Sequence, residues 1–134
     1  MKDRLKLEIL TPEKTVYSDE VSAVRLPGVN GYFGVQPGHT LLLAALDIGE
    51  IKVQTGSETQ FFATSGGMAE ILPHSISVLA QAAEPAAAID VKRAQQAKER
   101  AEKRLQEGKQ AWDVMRAKAA LLRAINRIRV ASKV

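Results

Sequence analysis

Five charged side chains in the C-terminal third have the types and spacing of a group that could bind an anion. Arg93 and Arg100 are seven residues apart, and Arg123 and Arg127 are four apart, so each pair lies on one face of a helix. Guanidinium groups donate charge-assisted hydrogen bonds to anionic oxygens. Asp90 is a good helix N-cap, because its carboxylate can accept hydrogen bonds from backbone N–H groups of the first turn. Helix capping alone would explain Asp90, and solvation alone would explain Arg93.

No group of residues predicts catalysis or metal binding. The chain has no Cys and two His, which excludes thiol chemistry, disulfides and Cys-based zinc sites. It lacks the Gly-x-x-x-x-Gly-Lys-Ser/Thr loop of an ATPase site. His39 has no evident partner nucleophile or acid, and no Asp/Glu spacing singles out an acid–base pair. We therefore expect no catalytic residue, no metal and no required cofactor.

The first part of the chain has the pattern of short β-strands. Leu5, Leu7 and Ile9 alternate with charged residues, which is the period-two pattern of a half-buried strand. Turn signals such as "LPGVNG", "DIGE", "TGSE" and "SGG" separate the segments. The predicted fold is an antiparallel β-sandwich or flattened barrel. The predicted strands are residues 4–10, 15–18, 20–26, 32–35, 39–46, 51–55, 59–64, 68–71 and 75–81.

The last part of the chain predicts an antiparallel two-helix hairpin. Apolar residues recur at helical spacing on both sides of Gly108, and the stripe of the first helix is mostly alanine. Buried alanine methyl groups contribute at most ~1 kcal/mol each, so we expect a weakly attached, mobile hairpin. We divide the chain into a β-domain (1–84), a joint (85–89) that overlaps the predicted flexible segment "AAEPAAA" (82–88), and a regulatory hairpin (90–134). The second stripe comprises Val114, Ala117, Leu121, Ala124 and Ile128.

The charge distribution differs between the two parts. Residues 1–89 carry six Lys/Arg and ten Asp/Glu, a net charge of −4, whereas residues 90–134 carry thirteen and five, a net charge of +8. A basic arm on a small β-domain is also typical of nucleic-acid-binding proteins, which are the alternative from another class. The chain has only six aromatic residues, and those on strands form no evident stacking platform for bases.

Three stretches together resemble one family. They are "GYFGVQPGHTLLL" (31–43), "GGMAEILPHSISVLA" (66–80) and "LLRAINRIRV" (121–130). In this order and at this length, the chain resembles the epsilon subunit of bacterial F-type ATP synthase. Leu41 and Met68 stand where that family often has other residues, and we interpret both as core or turn adjustments.

The resemblance implies a non-catalytic rotor subunit on the cytoplasmic face of the bacterial inner membrane, attached peripherally. Its sandwich would bind the gamma subunit and the c-ring, and its hairpin would either lie on the sandwich or extend. The extended hairpin would contact the alpha and beta subunits and inhibit ATP hydrolysis. Turn chemistry alone would explain the Gly and Pro residues near the rotor contacts. Those contacts would be Gly28, Val29, Asn30, Gly31, Tyr32 and His39.

The resemblance also implies that ATP is a regulatory ligand. The segment "IDVKRA", residues 89–94, matches the family's Ile/Leu-Asp-x-x-Arg-Ala motif for ATP on the folded hairpin. The implied ATP-binding residues are Glu84, Ile89, Asp90, Arg93, Ala94, Arg100, Arg123 and Arg127. A basic stripe on the second helix, which a solvated face would also explain, would contact the acidic segments of the beta subunits. It comprises Arg116, Arg123 and Arg127.

Overall fold

The computed structural model describes residues 4–108 and 110–134. Within these ranges eight strands are followed by two helices, as the predicted fold class requires; residues 1–3 of the predicted β-domain lie outside the description. The strands are β1 (Leu5–Leu10), β2 (Thr15–Val21), β3 (Ala23–Gly28), β4 (Gly31–Val35), β5 (Leu42–Thr55), β6 (Glu58–Leu72), β7 (Ser75–Ala80) and β8 (Ala83–Pro85). A 3-10 turn (Ala86–Ala88) leads to α1 (Val91–Glu107) and α2 (Ala111–Ala131).

The strands form a sheet that encloses one apolar core. Their order is β2-β1-β7-β6-β5-β3-β4, and β8 pairs with β6. All eight strands contribute side chains to the core, and the alternation predicted for β1 places Leu5, Leu7 and Ile9 fully inside. Every pairing is antiparallel within the described residues except that of β1 with β7, which is parallel. The predicted sandwich is confirmed with this one topological difference.

Several predicted strand boundaries are wrong. The segment 20–26 divides between β2 and β3 at Ser22, while the segments on either side of "DIGE" and "SGG" join into the long strands β5 and β6. The glycines there mark close approaches rather than chain reversals. A Cβ on Gly49 would lie 2.6 Å from both the Pro27 side chain and the Tyr32 hydroxyl, and one on Gly67 would lie 2.1 Å from the Leu79 carbonyl.

The segment predicted as a flexible joint is ordered and attached to the sheet. Glu84 pairs with Ala63, and Pro85 pairs with Phe62, in the β8–β6 ladder. Ala86 and Ile89 are then buried against the side chains that receive α2. In the docked state the apolar contacts of Ala86 and Ile89 therefore hold this segment, and a run of alanines around a proline gives no sign of those contacts.

The two helices pack against each other, and α2 also packs on the sheet. Asp90 caps α1, since its Oδ1 accepts from the Arg93 backbone N–H at 3.0 Å. On α2, Ala117 and Ala124 share the predicted stripe, while Asn126 and Val130 are buried on the opposite side of the helix. The second helix therefore has two buried faces, of which periodicity predicted one. No helix among the described residues combines the length and apolarity needed to cross a membrane.

Candidate functional site

A cleft of about 760 Å³ lies between the sheet and the hairpin. Glu84 enters it from β8, Arg93 from the first turn of α1, and Arg123 and Arg127 from α2. The arginines of the two helices thus reach a common space, which requires the hairpin to be docked. Four cationic and two acidic side chains line the cleft, so it carries a net positive charge that favours an anion.

Arg127 and Glu84 form an ion pair across this cleft. The Arg127 Nε donates to one carboxylate oxygen of Glu84, and its Nη2 lies 3.3 Å from the other. Both side chains are about 70% buried, with 28% and 29% exposed. Glu84 therefore occupies the guanidinium that an anionic ligand would need, and such a ligand must share Arg127 with Glu84 or displace it.

The other residues of the predicted ATP set have different positions. Arg100 lines a neighbouring cleft of about 910 Å³ between the two helices, and Arg123 lines both clefts. Asp90 caps α1 rather than lining either cleft. Ile89 packs in the cluster under Val130, and Ala94 is fully buried. In this structure Asp90 therefore caps a helix, and Ile89 and Ala94 are packing residues.

The sheet supplies cleft residues that the sequence analysis missed. Thr11 and Lys14 come from the β1–β2 turn, where the Thr11 backbone N–H donates to the Lys14 carbonyl at 2.9 Å. Ser65 on β6 and Gln81 after β7 complete this wall. The sequence marks "TPEK" only as a turn, and nothing in it indicates that this turn lies opposite Arg93.

The basic stripe predicted on α2 faces two different environments in the docked hairpin. Arg127 is engaged by Glu84, whereas Arg123 and Arg116 are exposed on the walls of the inter-helix cleft. The Arg116 guanidinium stacks on Trp112 at 5.5 Å from the ring centroid. Undocking α2 would release Arg127 from Glu84 and expose the whole stripe.

The predicted rotor contacts surround β4, an edge strand. Val29 and Asn30 form the exposed turn between β3 and β4, and the Val29 N–H donates to the Ala45 carbonyl at 3.1 Å. Gly31 has φ 127°, a left-handed conformation that favours glycine. Tyr32 lies within β4 and His39 four residues beyond its end, and both line one groove of about 600 Å³.

A row of apolar side chains lies exposed on one face of the sheet. Ala45, Met68 and Leu79 are direct cross-strand neighbours on β5, β6 and β7, and Leu43 lies two residues from Ala45 on the same face. Leu43 and Leu79 are 67% and 57% exposed. Met68 and Leu41 are exposed as well, so neither is a core residue; Met68 lies within β6, whereas Leu41 lies in the connection just before β5. Contiguous exposed apolar surface of this kind is a candidate interaction site.

Among the described residues, no group of three or more His, Asp or Glu could hold a metal ion. The charged cleft, the β4 edge and the apolar row are the candidate functional surfaces.

Comparison with known proteins matches the chain along almost its whole length. A family described as "ATP synthase, Delta/Epsilon chain, beta-sandwich domain" matches residues 4–86. A second, described as "ATP synthase, Delta/Epsilon chain, long alpha-helix domain", matches residues 88–132. The ATP synthase epsilon chain of Syntrophobacter fumaroxidans is 48% identical over 133 residues, 99% of each chain. That of Nitratidesulfovibrio vulgaris is 46% identical over 130 residues, 97% of each chain.

Solved structures share the fold at lower identity. A chain of the mitochondrial ATP synthase of Euglena gracilis superposes with a TM-score of 0.82 at 21% identity, covering 98% of this chain and 82% of that one. A chain of the Tetrahymena thermophila mitochondrial ATP synthase gives 0.57 at 18% identity, covering 98% and 96%. At these identities the likeness establishes the fold alone.

Proposed function

This chain belongs to the ATP synthase delta/epsilon chain family. We propose that its β-sandwich attaches to the rotor of the enzyme and that its hairpin regulates ATP hydrolysis. Membership confirms the epsilon subunit predicted from three motifs, and with it a non-catalytic subunit of the central stalk. The family match accounts for both parts of the chain, so the nucleic-acid-binding alternative has no remaining support. The other parts of this proposal concern partners, ligand and regulation.

The gamma subunit and the c-ring are the proposed partners of the sandwich. The exposed row of Ala45, Met68 and Leu79 supports an apolar docking face for gamma, because burying it on a partner would remove it from water. The uncharged turn 28–32 and the groove containing His39 support a contact at the β4 edge with the c-ring and gamma. The Euglena relative was solved together with a c-ring. Such a position would place this chain at the cytoplasmic face of the bacterial membrane.

The observation that carries the regulatory proposal is the cleft built from both parts of the chain. Glu84 comes from the sheet, and Arg93, Arg123 and Arg127 come from the hairpin. Because the site is complete only when the hairpin is docked, any ligand held there favours the docked state by its differential affinity for it.

ATP is the proposed ligand. Three guanidiniums converge on a space large enough for a nucleotide, and they would donate to the triphosphate oxygens. Arg100 would extend this set along α1 towards the second cleft. Arg127 would exchange Glu84 for phosphate, and the freed Glu84 carboxylate could accept from the base or the ribose.

Inhibition is the proposed task of the extended hairpin. Once Arg127 leaves Glu84, it joins Arg116 and Arg123 in one basic stripe that complements acidic segments of the beta subunits. The alpha subunits would contact the same inserted helix. Removing residues 90–134 should therefore raise ATP hydrolysis by the reassembled enzyme, and unchanged hydrolysis would contradict the inhibitory role.

Calorimetric titration of the isolated chain with ATP tests the ligand. We expect saturable binding that Arg93→Ala and Arg127→Ala each weaken by about tenfold or more, since each removes a charge-assisted hydrogen bond. Arg104→Ala is the matched control, because Arg104 lies on α1 outside the cleft that contains Glu84. Absence of heat up to millimolar ATP, or equal weakening by the control, would refute this site.

A further inference from the structure

Residues 49 and 50 of β5 contact the β4 edge on one side and the end of the hairpin on the other. The Glu50 side chain is only 7% exposed, and its carboxylate binds two cations that lie far apart in the sequence. Arg25 on β3 donates to Oε1, while the Lys133 Nζ donates to Oε1 at 3.0 Å and to Oε2 at 2.7 Å. One buried carboxylate thus joins the sheet to the residue that follows α2 by two positions.

Tyr32 holds this part of β5 in place. Its hydroxyl accepts from the Glu50 backbone N–H at 3.0 Å, and the Arg25 guanidinium stacks on its ring at 5.1 Å from the centroid. The β3–β5 ladder is irregular between Arg25 and Gly28, so the hydroxyl of Tyr32 supplies the acceptor for this N–H. Gly49 has no room for a Cβ, because that atom would lie 2.6 Å from the Tyr32 hydroxyl.

The hairpin attaches to the same two residues. The Asn126 side-chain amide donates to the Gly49 carbonyl at 2.7 Å, and Asn126 is buried. Lys133 reaches Glu50 while its Nζ lies 4.9 Å from the Phe61 ring centroid. Between them, Val130 is fully buried in a small cluster with Ala63, which makes this the end of α2 that docks.

We propose that Tyr32, Arg25 and Glu50 form a relay that couples the β4 edge to hairpin docking. Tyr32 and Arg25 act as positioning residues: they orient the Glu50 carboxylate so that it receives Lys133. A change in the position of Tyr32, which is 53% exposed at the edge strand, alters the Glu50 contacts and weakens the hold on α2. The identity of the partner that would move Tyr32 rests on the proposed function, but the relay itself does not.

The absence of cysteine allows docking to be measured with one introduced thiol. Val130→Cys places it where the side chain is fully buried, so its maleimide-labelling rate reports the fraction of molecules in which α2 has left the sheet. Val53→Cys, in a separate protein, reports opening of the sandwich core instead. The measurement uses the full chain without partners or nucleotide.

In the Val130→Cys background, Lys133→Ala is expected to accelerate labelling about tenfold, because it leaves a buried carboxylate short of a partner. Tyr32→Phe is expected to accelerate it about threefold, since it removes only the hydroxyl. Tyr17→Phe is the matched control, as Tyr17 packs edge-on against Phe62, while the hydrogen bonds of Glu50 go to Arg25, Tyr32 and Lys133. Labelling at position 53 should not change in any variant.

A double-mutant cycle separates a relay from general loosening. If Tyr32 acts through Glu50 and Lys133, adding Tyr32→Phe to Lys133→Ala should accelerate labelling by less than about twofold more. Multiplicative effects, an unaltered rate for Tyr32→Phe, or equal acceleration at position 53 would overturn the relay. Because no partner is present, failure of the sandwich to bind gamma or the c-ring would refute the proposed docking and leave this result unaffected.

Discussion

The sandwich core and the hairpin docking surface are held by different kinds of interaction. The core contains twelve large side chains that are less than 2% exposed, and all belong to the sheet. The docking surface buries Val130 and Ile89 among alanines, with Phe61 packed against them, and is completed by Asn126, Lys133 and the Arg127–Glu84 pair. The comparison teaches that the core is specified by a large apolar volume, whereas the docking surface combines a small apolar cluster with a few directional polar contacts. We therefore expect the hairpin to leave without unfolding the sheet.

The two kinds of interaction differ in the free energy that each contributes. At about 25 cal/mol per Å², full burial of a Leu or Phe contributes ~1.5–3 kcal/mol, and losing one leaves a cavity that its surroundings fill only in part. Exchanging polar contacts for water costs only about 0.5–1.5 kcal/mol per hydrogen bond. An element held by such contacts can respond to ligands and partners of ordinary affinity.

The adjacent residues Phe61 and Phe62 give the sharpest test of this difference. Phe62 points into the core, where it is 1% exposed, whereas Phe61 packs on the hairpin side. We expect Phe62→Ala to lower the free energy of unfolding by about 3–5 kcal/mol in urea titrations followed by circular dichroism. Phe61→Ala should cost about 1 kcal/mol and act mainly on docking. Equal losses of unfolding free energy would contradict the division.

A smaller effect is expected for Asn126→Ala. The substitution leaves the Gly49 carbonyl without its side-chain donor, so docking should weaken by about 1–3 kcal/mol, read as faster labelling of the Val130→Cys thiol. Gln95→Ala, which removes an exposed amide side chain on α1, is the matched control and should have no effect. An equally large shift in the urea midpoint of the sheet would show that the two parts unfold together.

The smallest expected effect is that of salt. Arg127–Glu84 and Lys133–Glu50 are partly solvated ion pairs, so raising ionic strength from about 0.05 to 0.5 M should weaken docking by ~1 kcal/mol or less. Labelling at position 53 should not accelerate, because core burial does not depend on charge. Salt-independent labelling at position 130 would indicate that apolar contacts alone hold the hairpin.

Local patterns predicted much of this molecule, and long-range contacts account for the errors. The alternation in β1 and the Asp90 N-cap were recognised because each depends on neighbours within a few residues. The strand breaks predicted at Gly49 and Gly67 were wrong, since glycine is needed there to make room for Pro27, Tyr32 and Leu79 across the sheet. Within the candidate cleft, the arginines were identified through a family motif, while Thr11 and Lys14 had no local signal.

The amino-acid order by itself determined the class of each element and the family, because periodicity, capping residues and motifs act over short distances along the chain. Only the tertiary structure decided which residues share a site. Glu50 meets Lys133 across 83 positions and Glu84 meets Arg127 across 43, and such pairs form only where folding brings distant segments together. The face of α2 that carries Asn126 and Val130 could be identified as buried only from the packing of α2 against β5 and β6.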